Sequence, residues 1–491
     1  MHTLIKYREY INCKPDNATT FSRSCYLYET FIFGVGERPQ MQVWHSKMGP
    51  IYRIKMGVKP WIIIGDPYIA NDILKVKGAI TAGRPFHLYM SHYGALDERG
   101  LVFTYPDKRW KSCRAIAQGL LSPKAVADKV EMMQSEAAKI TELILKGTKE
   151  SGYVDVFKSM QLATLNIIMQ TCFGIRAKSL DDPLAHTMFD LIDTSIKLSA
   201  PDQDMQTFLP ALSGLLRLFT SSENTMRDFV YKKRNPEFWR LIQEARENDS
   251  DCFVKNIYRL KEENGLEDDD ILVFMVDMIE AATDTTAITL SWSFLILSHY
   301  PDVQLKVQNE IDTFITKHNR LPVYEERENF PFMLSVQKES MRYRAVIPMN
   351  LPHEVTKDFE YNGYLIPKGT AILASTYTLN LSEEFYDNPR EFIPERYLYD
   401  KRPLSVSVNA NSQTRDQFVF GWGRRICPGV HMSDVELFNF WVRILATARI
   451  EPPLLNGQPV YPDLNAYHDG GLTVGPSETK LRFVERHDRL I

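Results

Sequence analysis

Apolar and polar residues alternate along this chain mostly with the period of a helix. After Ser122-Pro123, a pair that suits a helix start, Val126, Val130, Met133, Ala137, Ile140 and Ile144 fall on one stripe. A second helical pattern over residues 154–172 stops at Gly174. The longest pattern, 271–299, follows Glu267-Asp268-Asp269-Asp270, acids suited to a helix N-terminus, and at 1.5 Å per residue would span about 43 Å. Another apolar helix is expected over 430–450, with Val435, Phe438, Trp441, Leu445 and Ala448 at helical spacing. Strand patterns are short: 51–56 and 61–64 around Gly57-Val58-Lys59-Pro60, then 353–361, an Asn362-Gly363 turn, 364–366, 370–375, and terminal strands at 470–474 and 480–484. Residues 82–103 read as a long loop, 181–216 as helix broken by Pro201 and Pro210, 248–270 as a charged linker, and 399–417 as irregular chain. The expected fold class is mainly α with a small β-region.

Two stretches break these patterns. The middle of the longest helix carries Glu280-Ala281-Ala282-Thr283-Asp284-Thr285-Thr286, and with Asp277 these acids exclude an ordinary transmembrane span. A polar run inside a buried helix is costly unless it is used. Ala281 and Ala282 are small enough for a flat ligand to approach, and the Thr285 hydroxyl can bond a carbonyl one turn earlier and open a gap beside it. The second stretch is Phe420-Gly421-Trp422-Gly423-Arg424-Arg425-Ile426-Cys427-Pro428-Gly429, a glycine-broken loop that presents one sulfur. Thiolate is a strong, soft ligand for iron, and glycines leave backbone N–H groups free to point at it. Phe420 can shield the sulfur, and Arg425 places a cation two residues away.

The loop resembles the haem-binding loop of the cytochrome P450 family, F-G-x-G-x-R-x-C-x-G, with Cys427 as the implied iron ligand. The helix run resembles the family's oxygen-activation signature A-G-x-D/E-T-T, with Ala282 where glycine is usual, which implies catalytic roles for Asp284 and Thr285. Trp110 and Arg114 stand four apart on one helix face and match W-x-x-x-R, a pair the family uses on a haem propionate. Pro352-His353-Glu354-Val355-Thr356 matches a second propionate segment, where the resemblance assigns the role to His353. Glu339 and Arg342, three apart before Pro348, resemble E-x-x-R; Arg396 in Pro394-Glu395-Arg396-Tyr397 would complete a buried Glu-Arg-Arg network. The resemblance runs from about Gly36 to Val484. It implies a cytochrome P450 fold for residues 36–491 as one domain, haem b as cofactor, and a monooxygenase that inserts one atom of O2 into an apolar organic substrate. By likeness to the microsomal class, the electrons come from an NADPH-cytochrome P450 reductase-type flavoprotein, and the protein sits at the cytosolic face of the endoplasmic reticulum membrane. A haem-thiolate isomerase or dehydratase, or a haem sensor or carrier without turnover, is the alternative.

Composition narrows the remaining classes. A net charge of -4 argues against a nucleic-acid partner, and 44% hydrophobic with 11% aromatic residues is globular usage. The six cysteines (Cys13, Cys25, Cys113, Cys172, Cys252, Cys427) are far apart without C-x-x-C, which indicates neither a zinc module nor a disulfide framework. Locally, Lys108, Arg109, Lys111 and Arg114 form a basic segment that would suit an acidic electron donor. Around residues 1–35 the most apolar run, 25–36, is short and interrupted by Glu29, so no membrane anchor or signal peptide is read there; a truncated chain, a misplaced start or a form held to the membrane only peripherally are the three readings. Gly421-x-Gly423 continues to Ile426, so it is no dinucleotide fingerprint, and reducing equivalents must come from a partner.

Overall fold

The structure is a computed structural model and describes residues 38–208 and 222–487; the expectations for residues 1–35 and for Pro210 lie outside them. The helices used below are, in chain order, α1 (Arg38–Met48), α2 (Lys108–Leu120), α3 (Val130–Ser151), α4 (Val156–Phe173), α5 (Pro183–Leu198), α6 (Asn235–Glu247), α7 (Phe253–Asn264), α8 (Asp268–His299), α9 (Pro301–His318), α10 (Pro331–Tyr343) and α11 (Val430–Thr447).

Helix α8 is the axis of the fold because it is apolar almost all round, and such a helix must be covered on every side. Helix α4, buried from Met160 to Met169, lies along it, and α6, α9 and α10 close the other sides. Its start is earlier than the apolar pattern suggested: Asp270 N–H donates to the Glu267 backbone carbonyl at 3.1 Å, and the Asp270 carboxylate accepts from Glu267 N–H at 2.8 Å, so Asp270 ties down the first turn. Helix α11 packs against α3 and α9, joining the same core through Phe438, Phe440 and Trp441.

The β-region is small, as expected. One four-stranded sheet orders Ile51–Met56, Lys59–Ile64, Ala371–Ala374 and His353–Glu354, with Lys59–Ile64 parallel to Ala371–Ala374 and Trp61 opposite Ala371. A three-stranded sheet joins Val154–Asp155, Lys480–Glu485 and Ala448–Glu451. The first sheet places His353 beside the loop of Thr81, whose carbonyl its Nδ1 meets at 2.8 Å.

Several local expectations need correction. The charged stretch 248–270 contains α7, whose Phe253, Val254 and Ile257 are buried while most of its other positions are polar or charged. The loop 82–103 contains a wide helical turn, Leu88–Gly94, started by His87 accepting from Met90 N–H. The stripe after Ser122 is split into Pro123–Ala127 and α3 by Asp128 and Lys129. Residues 470–473 are not a strand but the bend between two: the terminal hairpin pairs Tyr467–Asp469 with Val474–Pro476.

Candidate active site

The loop before α11 folds around its sulfur by backbone geometry. Gly421 and Gly423 have φ of +76° and +53°, and a Cβ on Gly423 would stand 2.0 Å from the Leu74 carbonyl oxygen, so glycine is required there. Cys427 N–H donates to the Phe420 carbonyl at 2.8 Å, closing the loop. Gly429 N–H donates to the Cys427 sulfur, and a Cβ on Gly429 would lie 3.7 Å from it. Burial pushes the thiol up, while this N–H and the Arg114 charge pull it down toward thiolate. Unlike Cys113, Cys172 and Cys252, Cys427 is not fully buried.

The same kind of opening marks one face of α8. Ala281 is exposed, and Asp277, Glu280, Ala282, Thr285 and Thr289 are partly exposed, although the neighbouring Ile279, Thr283, Asp284, Ala287 and Ile288 are buried. Ala282, Phe420, Ile426 and Cys427 all pack as partly buried members of one core. Accessible surface on small residues deep in a core is the signature of an internal cleft, here between α8 and the sulfur loop. Thr285 Oγ1 donates to the Ala281 carbonyl at 2.7 Å, the expected bond one turn back, but α8 runs on without the expected gap. Asp284 does not face the cleft: its carboxylate accepts from Gln161 Nε2 on α4 at 2.8 Å, and burial pushes it up to about 6.

Beside the sulfur loop lies a group of buried cations. Arg425, pushed down to about 8 by burial and then by Arg84 and Arg114, donates to the carbonyls of Ala82 (2.8 Å), Leu101 (3.1 Å) and Thr104. Arg84, pushed down to about 9 by burial and then Arg114, donates to Val102 and Pro352 carbonyls at 3.0 and 2.6 Å. Arg114 donates to the Ile426 carbonyl, and its Nε is buried without a partner among the described residues. His353 is pushed down to about 3 by burial, then Arg84, with Arg425 adding to the effect. No carboxylate is among the groups acting on Arg84, Arg114, Arg425 or His353. Buried like charges without a counter-anion call for one.

That gathering was only partly legible. Arg114 and Arg425 come together, but the Trp110 indole N–H donates to the Leu101 carbonyl at 3.0 Å, and its ring lies 4.2 Å from the Arg425 guanidinium. Trp110 therefore supports Arg425 and has no free donor for a carboxylate. His353 Nδ1 lies on the Thr81 carbonyl, so a neutral ring would offer only an acceptor at Nε2; meeting a carboxylate requires protonation, which an anion would favour. Arg84 was missed, because a lone arginine in a loop has no spacing partner that marks it. The Glu-Arg-Arg network forms as expected: Arg342 Nε and Nη2 grip Glu339 at 2.7 Å each, and Arg396 Nε reaches it at 3.1 Å.

A thiol cradled by glycine N–H, a cleft floored by alanines and a cation group awaiting carboxylates fit one group, a flat macrocycle carrying an iron and two carboxylates. Among the described residues no set of three or more His, Cys, Asp or Glu could hold a bare metal ion, so a single sulfur suits iron already held in a ring. The comparisons agree. The family model of cytochrome P450 matches residues 30–483. Similar proteins include the cytochrome P450 monooxygenase virE of Hypocrea virens (26% identical, over 91% of this chain and 81% of that protein). Another is cytochrome P450 2F2 of Mus musculus (28%, over 83% and 82%). A zebrafish cytochrome P450 solved with progesterone shares the fold at a TM-score of 0.77 and 21% identity, over 91% of this chain and 99% of that one. The fold and the site define a haem-thiolate protein. The chain belongs to the cytochrome P450 family: it is a haem b monooxygenase, an oxidoreductase that incorporates oxygen from O2.

Proposed function

We propose that this enzyme inserts one oxygen atom of O2 into an apolar organic substrate with electrons from an NADPH-dependent flavoprotein reductase. The observation that carries the reading is the Cys427 sulfur, held by Gly429 N–H beside a cleft whose α8 face is Ala281, Ala282 and Thr285. Haem bound there would supply the activation of O2, with thiolate electron density favouring O–O cleavage. Arg114 and Arg84, with His353 once protonated, would hold its carboxylates, and Phe420 and Ile426 would shield the sulfur. Thr285 carries a hydroxyl on that face, its proton on the Ala281 carbonyl, and would hand it toward the cleft; Asp284, turned to Gln161, would act only through the helix.

Docking of the reductase is assigned to α2, where Lys108 and Lys111 are exposed. Arg109 contributes less than expected, because it faces Asp270 at 3.5 Å. Residues 36–491 would act as one catalytic domain. No helix among the described residues is long and apolar enough to cross a membrane. Val58 and Phe86, 54% and 44% exposed, are apolar side chains that would give a peripheral contact at the cytosolic face of the endoplasmic reticulum.

The test is the spectrum of the reduced, carbon monoxide-bound protein. Thiolate ligation gives a strongly red-shifted Soret band, and Cys427→His should keep some haem while losing that band and substrate-dependent NADPH consumption. A red-shifted band surviving in Cys427→His would remove Cys427 as the ligand.

A further inference from the structure

Glu280 has no part in the chemistry described above, yet its carboxyl group on α8 is held through a chain of two hydroxyls. Its Oε1 accepts from Ser195 Oγ on α5 at 2.5 Å, and Ser195 Oγ accepts in turn from Tyr89 Oη at 2.8 Å. Ser195 and Tyr89 are 1% and 3% exposed, so the hydroxyl chain is locked in the core and runs one way, from Tyr89 through Ser195 to the carboxylate. Three separate elements therefore fix the orientation of one carboxyl group. Its other oxygen, Oε2, accepts no hydrogen bond among the described residues and is not one of the buried unpartnered atoms, so it is open to water or to a ligand. Glu280 itself is partly exposed and directly precedes Ala281, the exposed residue of the cleft face.

We infer that Glu280 Oε2 is a substrate anchor, selecting apolar molecules that carry a hydrogen-bond donor, a hydroxyl or a protonated amine, at one end. The inference rests on the monooxygenase reading above. A ligand that fills the cleft displaces the water that can meet Oε2, so one that supplies a donor there keeps a bond that a purely apolar ligand of the same shape forfeits. Burial pushes the Glu280 carboxyl up, with Asp284 adding to it, while the Arg234 charge and the Ser195 hydroxyl oppose that shift. Glu280 precedes Thr285 by five residues, about 7.5 Å along the helix axis, so the anchor also sets how far from the donor group oxidation falls. Ser195 and Tyr89 are positioning residues, because they aim the carboxylate and do not themselves reach the ligand.

The test uses haem-loaded enzyme and a panel of rigid apolar alcohols, from adamantanol to a sterol, each paired with its methyl ether, which keeps shape and acceptor but lacks the donor. Each compound is titrated by the substrate-induced Soret shift, and by thermal stabilisation for compounds that leave the spectrum unchanged. At least one alcohol should bind about tenfold to a hundredfold tighter than its ether. That preference should vanish in Glu280→Leu and shrink in Ser195→Ala, while the red-shifted carbonyl band is unchanged in both. A third arm replaces the hydroxyl by dimethylamino: tighter binding of the amine, lost in Glu280→Gln, identifies the donor as a cation, whereas weaker binding identifies it as a hydroxyl. Glu280→Gln also covers the case in which Glu280→Leu fails to fold, since it keeps shape and hydrogen-bonding while removing charge. The inference is overturned if no pair discriminates, or if the preference survives in Glu280→Leu. Loss of the carbonyl band in the wild type would instead overturn the haem-thiolate reading.

Discussion

Removing the Arg342 side chain should cost this protein both its stability and its haem. Glu339 is fully buried and accepts two bonds from Arg342 at 2.7 Å, one from Arg396 at 3.1 Å and one from Ile393 N–H at 2.9 Å. Arg342 also donates to the carbonyls of Asn380 (2.8 Å), Pro389 (2.7 Å) and Glu391 (2.9 Å). Arg342→Ala leaves a buried carboxylate with half its donors and three carbonyls without one. Breaking a buried pair from one side typically costs about 3–5 kcal/mol, and native proteins hold only about 5–15 kcal/mol in total. Arg396→Ala should cost less, because Arg396 makes one bond to Glu339 and is 10% exposed on its side chain. Lys306→Ala, which removes an exposed pair with Glu395 at 3.3 Å, should cost under about 1 kcal/mol. Denaturant unfolding and the haem-to-protein absorbance ratio give the ranking. Normal haem content and an unchanged midpoint in Arg342→Ala would refute the reasoning.

Thr285→Val, nearly isosteric but without the hydroxyl, should bind haem and substrate normally while NADPH oxidation yields hydrogen peroxide, the product-forming step falling by about 10²- to 10⁴-fold; unchanged coupling of NADPH to product would make Thr285 a packing residue. Burial pushes Glu436 up to about 8 against a donated Thr286 bond. The folded chain thus keeps this proton to higher pH than the unfolded chain, and stability from this group is full below about pH 4.5 and falls as pH rises toward 8, by up to about 5 kcal/mol. Glu436→Gln should flatten that decline and raise the melting temperature most at pH 8, as pH-resolved thermal scans will show. Gly423→Ala should abolish haem loading, since its Cβ would meet Leu74 O at 2.0 Å, whereas Gly119→Ala, with nothing within 4 Å in α2, should load normally and gain up to about 1 kcal/mol.

What the sequence showed and what it hid divide along a physical line. The sulfur loop was legible because its geometry is local: left-handed glycines and one cysteine within ten residues specify the turn almost alone. The centre of α8 was legible because polar residues on an apolar helix stand out against the period. Helix spacing correctly put Trp110 and Arg114 on one face, but spacing names neighbours only along the helix. It could not show that the Leu101 carbonyl would reach the Trp110 indole first, or that Arg84 would arrive from a loop. Asp284 and Glu280 illustrate the same limit. Both are acids on one helix, and only the packing of α4 and α5 decides that one is bound by Gln161 and the other by Ser195. Helix α7 was missed because its buried stripe is Phe253, Val254 and Ile257, too few apolar positions among charges to define a period.

The position of Cys427 is in turn inherited from α10. Ser335 Oγ donates to the Pro394 carbonyl at 2.6 Å and accepts from Tyr397 N–H at 2.9 Å. One turn on, Lys338 Nζ reaches Asp400 at 2.9 Å, Ser407 at 3.1 Å and Asp416 at 3.3 Å, and its carbonyl accepts from Gln417. Glu339 and Arg342 hold Pro389, Glu391, Ile393 and Arg396 through the bonds already described. Next to Gln417, Arg415 donates to the Gly421 carbonyl at 2.6 Å and lies 3.9 Å from the Trp422 ring. The irregular chain between the Glu-Arg-Arg network and the sulfur is therefore tied at nearly every bend, either to α10 or to a residue that α10 holds. A buried lysine facing two carboxylates is costly to assemble, and its use here is to fix a segment that has no regular structure of its own. Loss of Arg342 is then felt at the sulfur through this run of contacts, which is why haem content should fail together with stability.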